Sequence, residues 1–218
     1  NGLHSLSGNY KSLEFLADEA CKIEMDILKK PMGKQDQYLA AIGGFVVLEI
    51  DHDGIVKSKK IDLEESRMNE LNRNLLIFYT GQQRKNNQIL KEQDDSTKKN
   101  KKEVLNSLHY IKESGYKILD IVRFGNLDDL GLMFKEHWGM KKKLSSRVTN
   151  DTIDSIYNTA LESGAIGGKI SGAGGGGFFT FYCNKDHQKL RNAMDTLGLK
   201  ELDYSFDLDG SKIISNPQ

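Results

Sequence analysis

The sequence has few of the features that would assign it to a specialised class of protein. Its 218 residues include only 2 cysteines and 2 prolines, and 31 Lys and Arg balance 31 Asp and Glu, so the formal net charge is zero. Cys21 and Cys183 are too few for a disulfide framework or a thiolate zinc site, which favours a reducing compartment. A chain without net charge gains no long-range attraction for nucleic acids or acidic membranes, so neither is expected as a partner.

Long apolar runs are also missing. No segment approaches the length of a membrane span, and no signal peptide opens the chain. Hydrophobic residues make up 38% of the sequence, which is typical of a soluble globular protein, and 218 residues allow one large domain or two small ones. We therefore expect a cytoplasmic protein that does not bind membranes.

Glycine is the one abundant special residue, and it is concentrated in one stretch. Residues 172–177 contain five glycines in six positions, between the strand-forming Ile170 and the apolar run 178–183. Glycines in a packed domain indicate positive φ angles or a close approach of the backbone to something else. The stretch therefore predicts either an ordered loop against a phosphate, a sugar or another loop, or a structural hairpin. A strand rather than a helix follows, so the dinucleotide-binding and P-loop templates do not apply.

The first carboxylate of interest lies on a predicted helix over residues 11–29. Its apolar residues have helical spacing, and Glu24 falls inside the apolar stripe. An unpaired carboxylate there would be destabilising, so Glu24 needs a partner. Two interpretations remain open: a salt bridge to a neighbouring Lys or Arg, or a ligand to a divalent cation.

The second carboxylate, Asp36, stands where the next short helix is predicted to begin, after Pro31 and Gly33 have ended the first one. Aspartate is common at the N-cap position, which is one interpretation. The other is a catalytic carboxylate that accepts a proton while Glu24 holds a metal ion.

The remaining pattern predicts an α+β fold, with an antiparallel sheet and helices on one face. The polar stretch 62–73 is the best candidate for a domain boundary, and the charged run 91–102 predicts an exposed connection. His137 and Trp138 are interpreted as helix-packing residues, so a histidine-bound metal is not expected. Strands are predicted at 45–50, 55–61, 75–79, 165–171, 178–183, 202–206 and 212–215, and helices at 104–122, 127–144, 151–164 and 185–197.

Four segments together resemble the GHMP sugar-kinase superfamily, and within it most resemble the bacterial D-glycero-D-manno-heptose 7-phosphate kinases and their fucokinase relatives. The four segments are GKQDQYLAAIGG (33–44), LLIFYTGQQR (75–84), HWGMKKKLSS (137–146) and GGKISGAGGGGFFTFY (167–182). The resemblance implies a two-domain kinase with a ferredoxin-like C-terminal domain. Residues 1–70 would be the C-terminal part of the N-terminal domain, and residues 71–218 would be the C-terminal domain.

The resemblance also implies roles for individual residues, with ATP and Mg²⁺ as cofactors. Asp36 matches the aspartate beside the sugar hydroxyl and would be the base, and Glu24 matches an acidic residue that holds Mg²⁺. Weaker transfers are Gln35, Gln37 and Arg84 as substrate contacts, with Arg84 on the phosphate of a sugar 7-phosphate. The cofactor-binding loop that matches the third family motif is Gly172, Ala173, Gly174, Gly175, Gly176 and Gly177.

The implied activity is phosphorylation of the anomeric hydroxyl of a heptose 7-phosphate to the 1,7-bisphosphate. The first two family motifs do not occur in the sequence, so the N-terminal domain is expected to be incomplete, the chain to be part of a longer kinase, and the 218 residues alone to be inactive. Two alternatives stay open: a kinase of a free sugar such as fucose or galactose, and a non-catalytic binding module. A basic pocket for a phosphorylated sugar would have to come from Arg84 or from the run Lys141-Lys142-Lys143, which otherwise predicts a solvated face.

Overall fold

The computed structural model describes residues 1–82, 89–90, 92, 95, 97 and 102–214. The chain forms two compact units, one made of Asn1–Leu63 with Ser205–Gln218 and the other of Glu64–Tyr204. The sequence-based division had placed the tail in the second domain. The tail instead pairs with the first unit, because the Gly44 N–H donates to the Asp207 carbonyl at 2.7 Å and the Phe45 and Phe206 rings lie 4.9 Å apart.

The described residues of the first unit form three short α-helices, one π-helix and a β-hairpin. Ser12 begins the second helix by accepting a hydrogen bond from the Phe15 N–H at 3.2 Å, which satisfies one free helix donor. A small core forms where this helix meets the third, around Ala17, Cys21 and Tyr38. The elements are α1 (Gly2–Leu6), α2 (Leu13–Cys21), the π-helix (Lys22–Ile27), α3 (Gln35–Ile42), β1 (Phe45–Ile50) and β2 (Val56–Ile61).

The second unit is a four-stranded antiparallel sheet with helices packed against it. In the described part of the chain its helices are α4 (Glu65–Asn74), α5 (Lys102–Phe124), α6 (Asp128–Lys142), α7 (Asp151–Glu162) and α8 (His187–Thr196). Its strands are β3 (Leu75–Tyr79), β4 (Gly167–Ile170), β5 (Phe178–Tyr182) and β6 (Lys200–Glu201), in the sheet order β4-β5-β3-β6. This arrangement confirms the predicted α+β class.

The core of the second unit follows the alternation of the strands. Leu76 and Phe78 of β3 and Phe179 and Phe181 of β5 are all buried, and Phe179 stacks on Phe181 with ring centroids 4.9 Å apart. Side chains one apart in a strand point to opposite faces, so these four residues share one face of the sheet. Trp138 covers Phe179 edge-on at 5.8 Å, which confirms that this tryptophan packs the core.

The boundary between the two units falls inside the polar stretch 62–73, between Leu63 and Glu64. The same stretch also contains most of α4, which its polar composition hides and which the buried Leu71 anchors. Two predicted strands differ from the structure. The strand predicted at 202–206 is reduced to Lys200–Glu201, and residues 212–214 are not in a strand. Among the described residues, no helix combines the length and the apolar character needed to cross a bilayer.

Candidate functional site

Glu24 lies on the π-helix that continues α2. The chain keeps its direction after Cys21 but widens its turn over Lys22–Ile27, and it leaves the helical region at Lys29, whose φ is 51°. Widened turns of this kind are rare and occur frequently at functional sites. The change of turn moves Glu24 out of the apolar stripe, so its side chain is half-buried at the edge of the helix rather than in the core.

The Glu24 carboxylate has two partners from outside its own helix. Lys30 Nζ donates to Oε1 at 2.9 Å, and the Gln37 amide donates to Oε2. These hydrogen bonds, that from Lys30 first and that from Gln37 second, lower the pKa of Glu24, so the group is ionised at neutral pH. The salt-bridge interpretation of Glu24 is therefore found in the structure, and the contact with Gln37 brings together two of the predicted site residues.

The same group of atoms is suited to a hard cation. The Gln37 Oε1 atom is buried and accepts no hydrogen bond from any described residue, although buried amide oxygens are normally satisfied. Carboxylate and amide oxygens are the ligands that Mg²⁺ prefers. Lys30, which neutralises Glu24, is half-exposed and can move aside into water. Glu24 can therefore bind a cation once Lys30 moves away, whereas the Gln37 amide faces Glu24 with its nitrogen and would have to rotate for its oxygen to join.

Asp36 lies in the first turn of α3, one residue after Gln35. The N-cap of this helix is Lys34, so the prediction that Asp36 caps the helix is wrong. A carboxylate in the first turn is still favourable because it faces the positive end of the helix dipole. Gln35 and Asp36 are both exposed, and the Asp36 carboxylate has no hydrogen-bond or ion-pair partner within the described ranges. Its oxygens are therefore accessible to a ligand.

The glycine-rich loop connects β4 to β5 in the second unit and is packed against other backbone segments. The N–H of Gly175 donates to the Val148 carbonyl at 2.8 Å, and that of Gly177 donates to the Gln82 carbonyl at 3.2 Å. Gly176 has a φ of 139°, and a Cβ atom there would lie 2.8 Å from the Gln82 carbonyl oxygen. Only glycine combines this conformation with this close approach. Hydrogen bonds and close packing within the protein therefore fix the second half of the loop.

The first half of the loop differs. Gly172 is exposed, and the N–H groups of Gly172, Ala173 and Gly174 have no acceptor among the residues that the structure describes. Gly172 and Gly174 have φ angles of 74° and 104°. Successive backbone N–H groups in such conformations can form a concave site for an anion. Gly172 is exposed and Ala173 half-buried, so their N–H groups can reach a negatively charged ligand, whereas Gly174 is buried.

The predicted site residues lie in both units of the structure, with one exception. Arg84 lies outside the described residues. Glu24, Gln35, Asp36 and Gln37 belong to the first unit, and the glycine loop belongs to the second. Sequence patterns did not predict the contact between Glu24 and Gln37, which are 13 residues apart. The orphaned Gln37 oxygen could only be found in a structure, since a buried glutamine has no local sequence signal.

Two other clusters of polar side chains lie in the described part of the chain. Asp51, His52 and Asp53 lie close together in the β1–β2 turn, where they are exposed and Asp51 accepts the N–H groups of Asp53 and Ile55. The Asp51 carboxylate is thus used by the turn itself.

The second group lines a depression of about 550 Å³ in the second unit, next to β6. Its Arg191 is already bound to Glu201 through three hydrogen bonds of 2.8–3.1 Å. Neither group contains a buried polar atom without a partner, in contrast to Gln37.

Comparison with known proteins shows what parts of the chain are similar to. Residues 116–198 match the model of the family described as GHMP kinases C terminal. The chain is 30% identical over 200 residues to a D-glycero-alpha-D-manno-heptose 7-phosphate kinase from Campylobacter jejuni, an alignment that covers 90% of this chain and 58% of that protein. The chain thus spans less than two thirds of the length of this relative.

Solved structures show the same fold. A D-glycero-D-manno-heptose 1-phosphate kinase from Bacteriodes thetaiotaomicron superposes with a TM-score of 0.74 at 22% identity, over 98% of this chain and 60% of that one. A galactokinase from Lactococcus lactis, solved in complex with galactose, superposes with a TM-score of 0.65 at 17% identity, over 93% of this chain and 61% of that one. At these identities the two structures support the fold and nothing finer.

Proposed function

We propose, from the match of residues 116–198 to the model described as GHMP kinases C terminal, that the protein is a sugar kinase acting on a heptose 7-phosphate. It would transfer the γ-phosphoryl group of ATP to the anomeric hydroxyl and form the 1,7-bisphosphate. The observation that carries the proposal is the 30% identity, over 90% of this chain, to a heptose 7-phosphate kinase.

Asp36 is the proposed base. Phosphoryl transfer depends mainly on positioning and on the stabilisation of charge, and the attacking hydroxyl must also lose its proton. The Asp36 carboxylate is exposed and has no partner in the described part of the chain, which supports a role in accepting that proton. A positioned base contributes about 10²- to 10⁴-fold to the rate.

Glu24 is the proposed Mg²⁺ ligand, with the Gln37 amide oxygen beside it. When bound, Mg²⁺ neutralises charge on the β- and γ-phosphates. The lowered pKa of Glu24 keeps the carboxylate charged, and rotation of the Gln37 amide, whose nitrogen faces Glu24, would add Oε1 as a second oxygen ligand. Lys30 forms an ion pair with Glu24 in the structure, and this ion pair would break when the cation binds.

The other proposed contacts concern ATP and the sugar. The N–H groups of Gly172 and Ala173 are oriented by a loop whose second half is fixed, so they are prepared to donate to phosphate oxygens. Gln35, exposed beside Asp36, is proposed as a contact to sugar hydroxyls. Arg84 is proposed to bind the 7-phosphate, since a guanidinium matches the geometry of a phosphate.

The decisive experiment measures ADP release by the full natural polypeptide that contains these residues. ATP and Mg²⁺ are supplied with heptose 7-phosphate, with fucose, with galactose, or without sugar. We expect turnover that requires heptose 7-phosphate. The Asp36→Asn variant should lose about 10²- to 10⁴-fold in kcat, with ATP affinity nearly unchanged.

The matched control is Asp62→Asn, which changes another exposed aspartate of the first unit. Equal activity of Asp36→Asn and the control would exclude the base role. Turnover on a free sugar would keep the mechanism and replace the substrate. An intact polypeptide that releases no ADP with any sugar would favour a non-catalytic binding module.

A further inference from the structure

Lys141, in the last turn of α6, binds the point where β4 enters the glycine loop. Its Nζ donates to the Ile170 carbonyl oxygen at 3.0 Å and also to the Gly172 carbonyl oxygen. Ile170 is the last residue of β4, and Gly172 is the first glycine of the loop. One ammonium group therefore holds two carbonyls on either side of Ser171.

These contacts determine where the next N–H group points. No peptide bond among the described residues is cis, so the Gly172–Ala173 peptide is trans and planar. In a trans peptide, the carbonyl and the N–H of the following residue point in opposite directions. Because the Gly172 carbonyl is directed at Lys141, the Ala173 N–H is directed away from Lys141 and from α6.

The Ile170–Ser171 peptide, two positions earlier, is constrained in the same way. Its Ile170 carbonyl is also directed at Lys141, and its N–H, on Ser171, donates to the Phe178 carbonyl at 2.9 Å within the hairpin. The Ala173 N–H, in contrast, has no acceptor in the described portion of the chain. Lys141 thus holds two peptides. The N–H of the Ile170–Ser171 peptide completes the hairpin, and the N–H of the Gly172–Ala173 peptide has no described acceptor.

We propose that Lys141 is a positioning residue, which orients the Gly172–Ala173 peptide so that the Ala173 N–H donates to a phosphate oxygen of the bound nucleotide. The identity of this ligand rests on the function proposed above. The two neighbouring lysines have different environments: Lys142 pairs with Asp154 at 3.3 Å, and Lys143 is exposed after the helix end. The run of three lysines, which by sequence predicts a solvated face, therefore contains one member that acts on the loop.

The test uses the full natural polypeptide with four substitutions. Lys141→Met removes the charge and the donors, whereas Lys141→Arg keeps a cation that can reach the same carbonyls. Lys142→Met and Lys143→Met are the matched controls. The protein is labelled with ¹⁵N-alanine, because this chain contains only eight alanines and gives few signals. The Ala173 amide signal is assigned as the one that disappears in the Ala173→Gly variant.

The first measurement is the Ala173 amide signal, without ligand and during titration with ATP and Mg²⁺. In the wild type and both controls, we expect ATP to shift this signal. In Lys141→Met the signal should already differ without ligand, and its response to ATP should be lost. Lys141→Arg should restore the response at least in part. The melting temperature of each variant is recorded, because a purely structural role would lower it without a specific change at Ala173.

The second measurement is the steady-state kinetics of the same variants. For Lys141→Met we expect kcat/KM for ATP to fall by about 10- to 100-fold, the effect of losing charge-assisted hydrogen bonds, with the KM for the sugar unchanged. An Ala173 signal in Lys141→Met that matches the wild type with and without ATP would overturn the proposal. So would an equal loss in Lys142→Met. If the wild type has no sugar-dependent turnover, the proposed function fails, while the amide measurement still decides the role of Lys141.

Discussion

Gly167 of β4 lies so close to Gly131 of α6 that a Cβ atom on Gly167 would overlap the Gly131 carbonyl oxygen and lie 3.0 Å from its carbonyl carbon. A Cβ atom on Gly131 would in turn lie 2.8 Å from Ile166 Cβ. The backbones of α6 and β4 are therefore in direct contact. This close packing brings the end of α6, with Lys141, to the start of the glycine loop.

Gly167→Ala should strongly destabilise the second unit. The added methyl group has no space between β4 and α6, so the strand or the helix must shift, and we expect a loss of about 3 kcal/mol or more in the free energy of unfolding. Urea denaturation measures this. Gly139→Ala on the same helix is the control, because a Cβ there meets nothing within 4 Å. It should stabilise the helix by up to about 1 kcal/mol, and equal effects of the two substitutions would refute the packing argument.

Arg67 should be important for stability because it caps the C-terminal end of α5. Its guanidinium donates to the carbonyls of Val122, Ile121 and Gly125 at 2.8, 2.6 and 2.9 Å. Arg67→Met removes a charged donor from all three carbonyls, of which Ile121 still accepts from the Gly125 N–H at 3.0 Å, and should cost about 2–4 kcal/mol. Arg67→Lys should recover only part of this loss, since an ammonium lacks the planar fork of a guanidinium.

The control for Arg67 is Lys117→Met, which changes an exposed cation on α5 itself. It should alter the unfolding free energy by less than about 0.5 kcal/mol. The contribution of Arg67 would be disproved by a full rescue with Lys, or by equal effects of Arg67→Met and Lys117→Met.

His137 should make the protein less stable in mild acid. Burial, and then the charges of Lys169 and Lys141, lower the pKa of His137 to about 4. The unfolded chain has the ordinary histidine pKa of about 6.5 and binds a proton first, so this group reduces stability as the pH falls from about 6.5 to about 4. The loss should be roughly 1 to 3 kcal/mol.

The His137 effect is measured by urea denaturation at several pH values. His137→Leu should flatten the decline between pH 6.5 and 4 relative to the wild type, whereas the same substitution at the exposed His109 on α5 should not. An unchanged pH profile in His137→Leu would show that this histidine is free to take up a proton in the folded protein.

Glu24→Gln should weaken Mg²⁺ binding. Lys30 lowers the pKa of Glu24, so the wild-type residue offers a charged oxygen at neutral pH, and glutamine offers only a neutral one. We expect the Mg²⁺ concentration needed for half-maximal activity to rise by about tenfold or more. Lys30→Met should lower that concentration, because it removes the cation that competes for Glu24.

The exposed Glu14 of α2 is the matched position for this series, and Glu14→Gln should leave the Mg²⁺ dependence unchanged. Should Glu24→Gln retain the wild-type Mg²⁺ dependence, Glu24 would have only the structural role that its salt bridge already indicates.

Local patterns in the sequence predicted most of the fold. The apolar run 178–183 predicted β5, and the helical spacing in 151–164 predicted α7, which begins after the Asn150 cap. These features are readable because periodicity and capping depend on residues a few positions apart. The same approach missed α4, whose anchors Leu71 and Arg67 act through contacts with distant segments.

For the candidate site, the sequence by itself determined which residues have the right chemistry, namely two carboxylates twelve positions apart and a loop that only glycine can form. The tertiary structure decided what each of them contacts. Gln37 reaches Glu24 across 13 residues, and Lys141 reaches the glycine loop across 29 and 31. Such contacts depend on how helices and strands pack, and packing brings together residues that no local spacing relates.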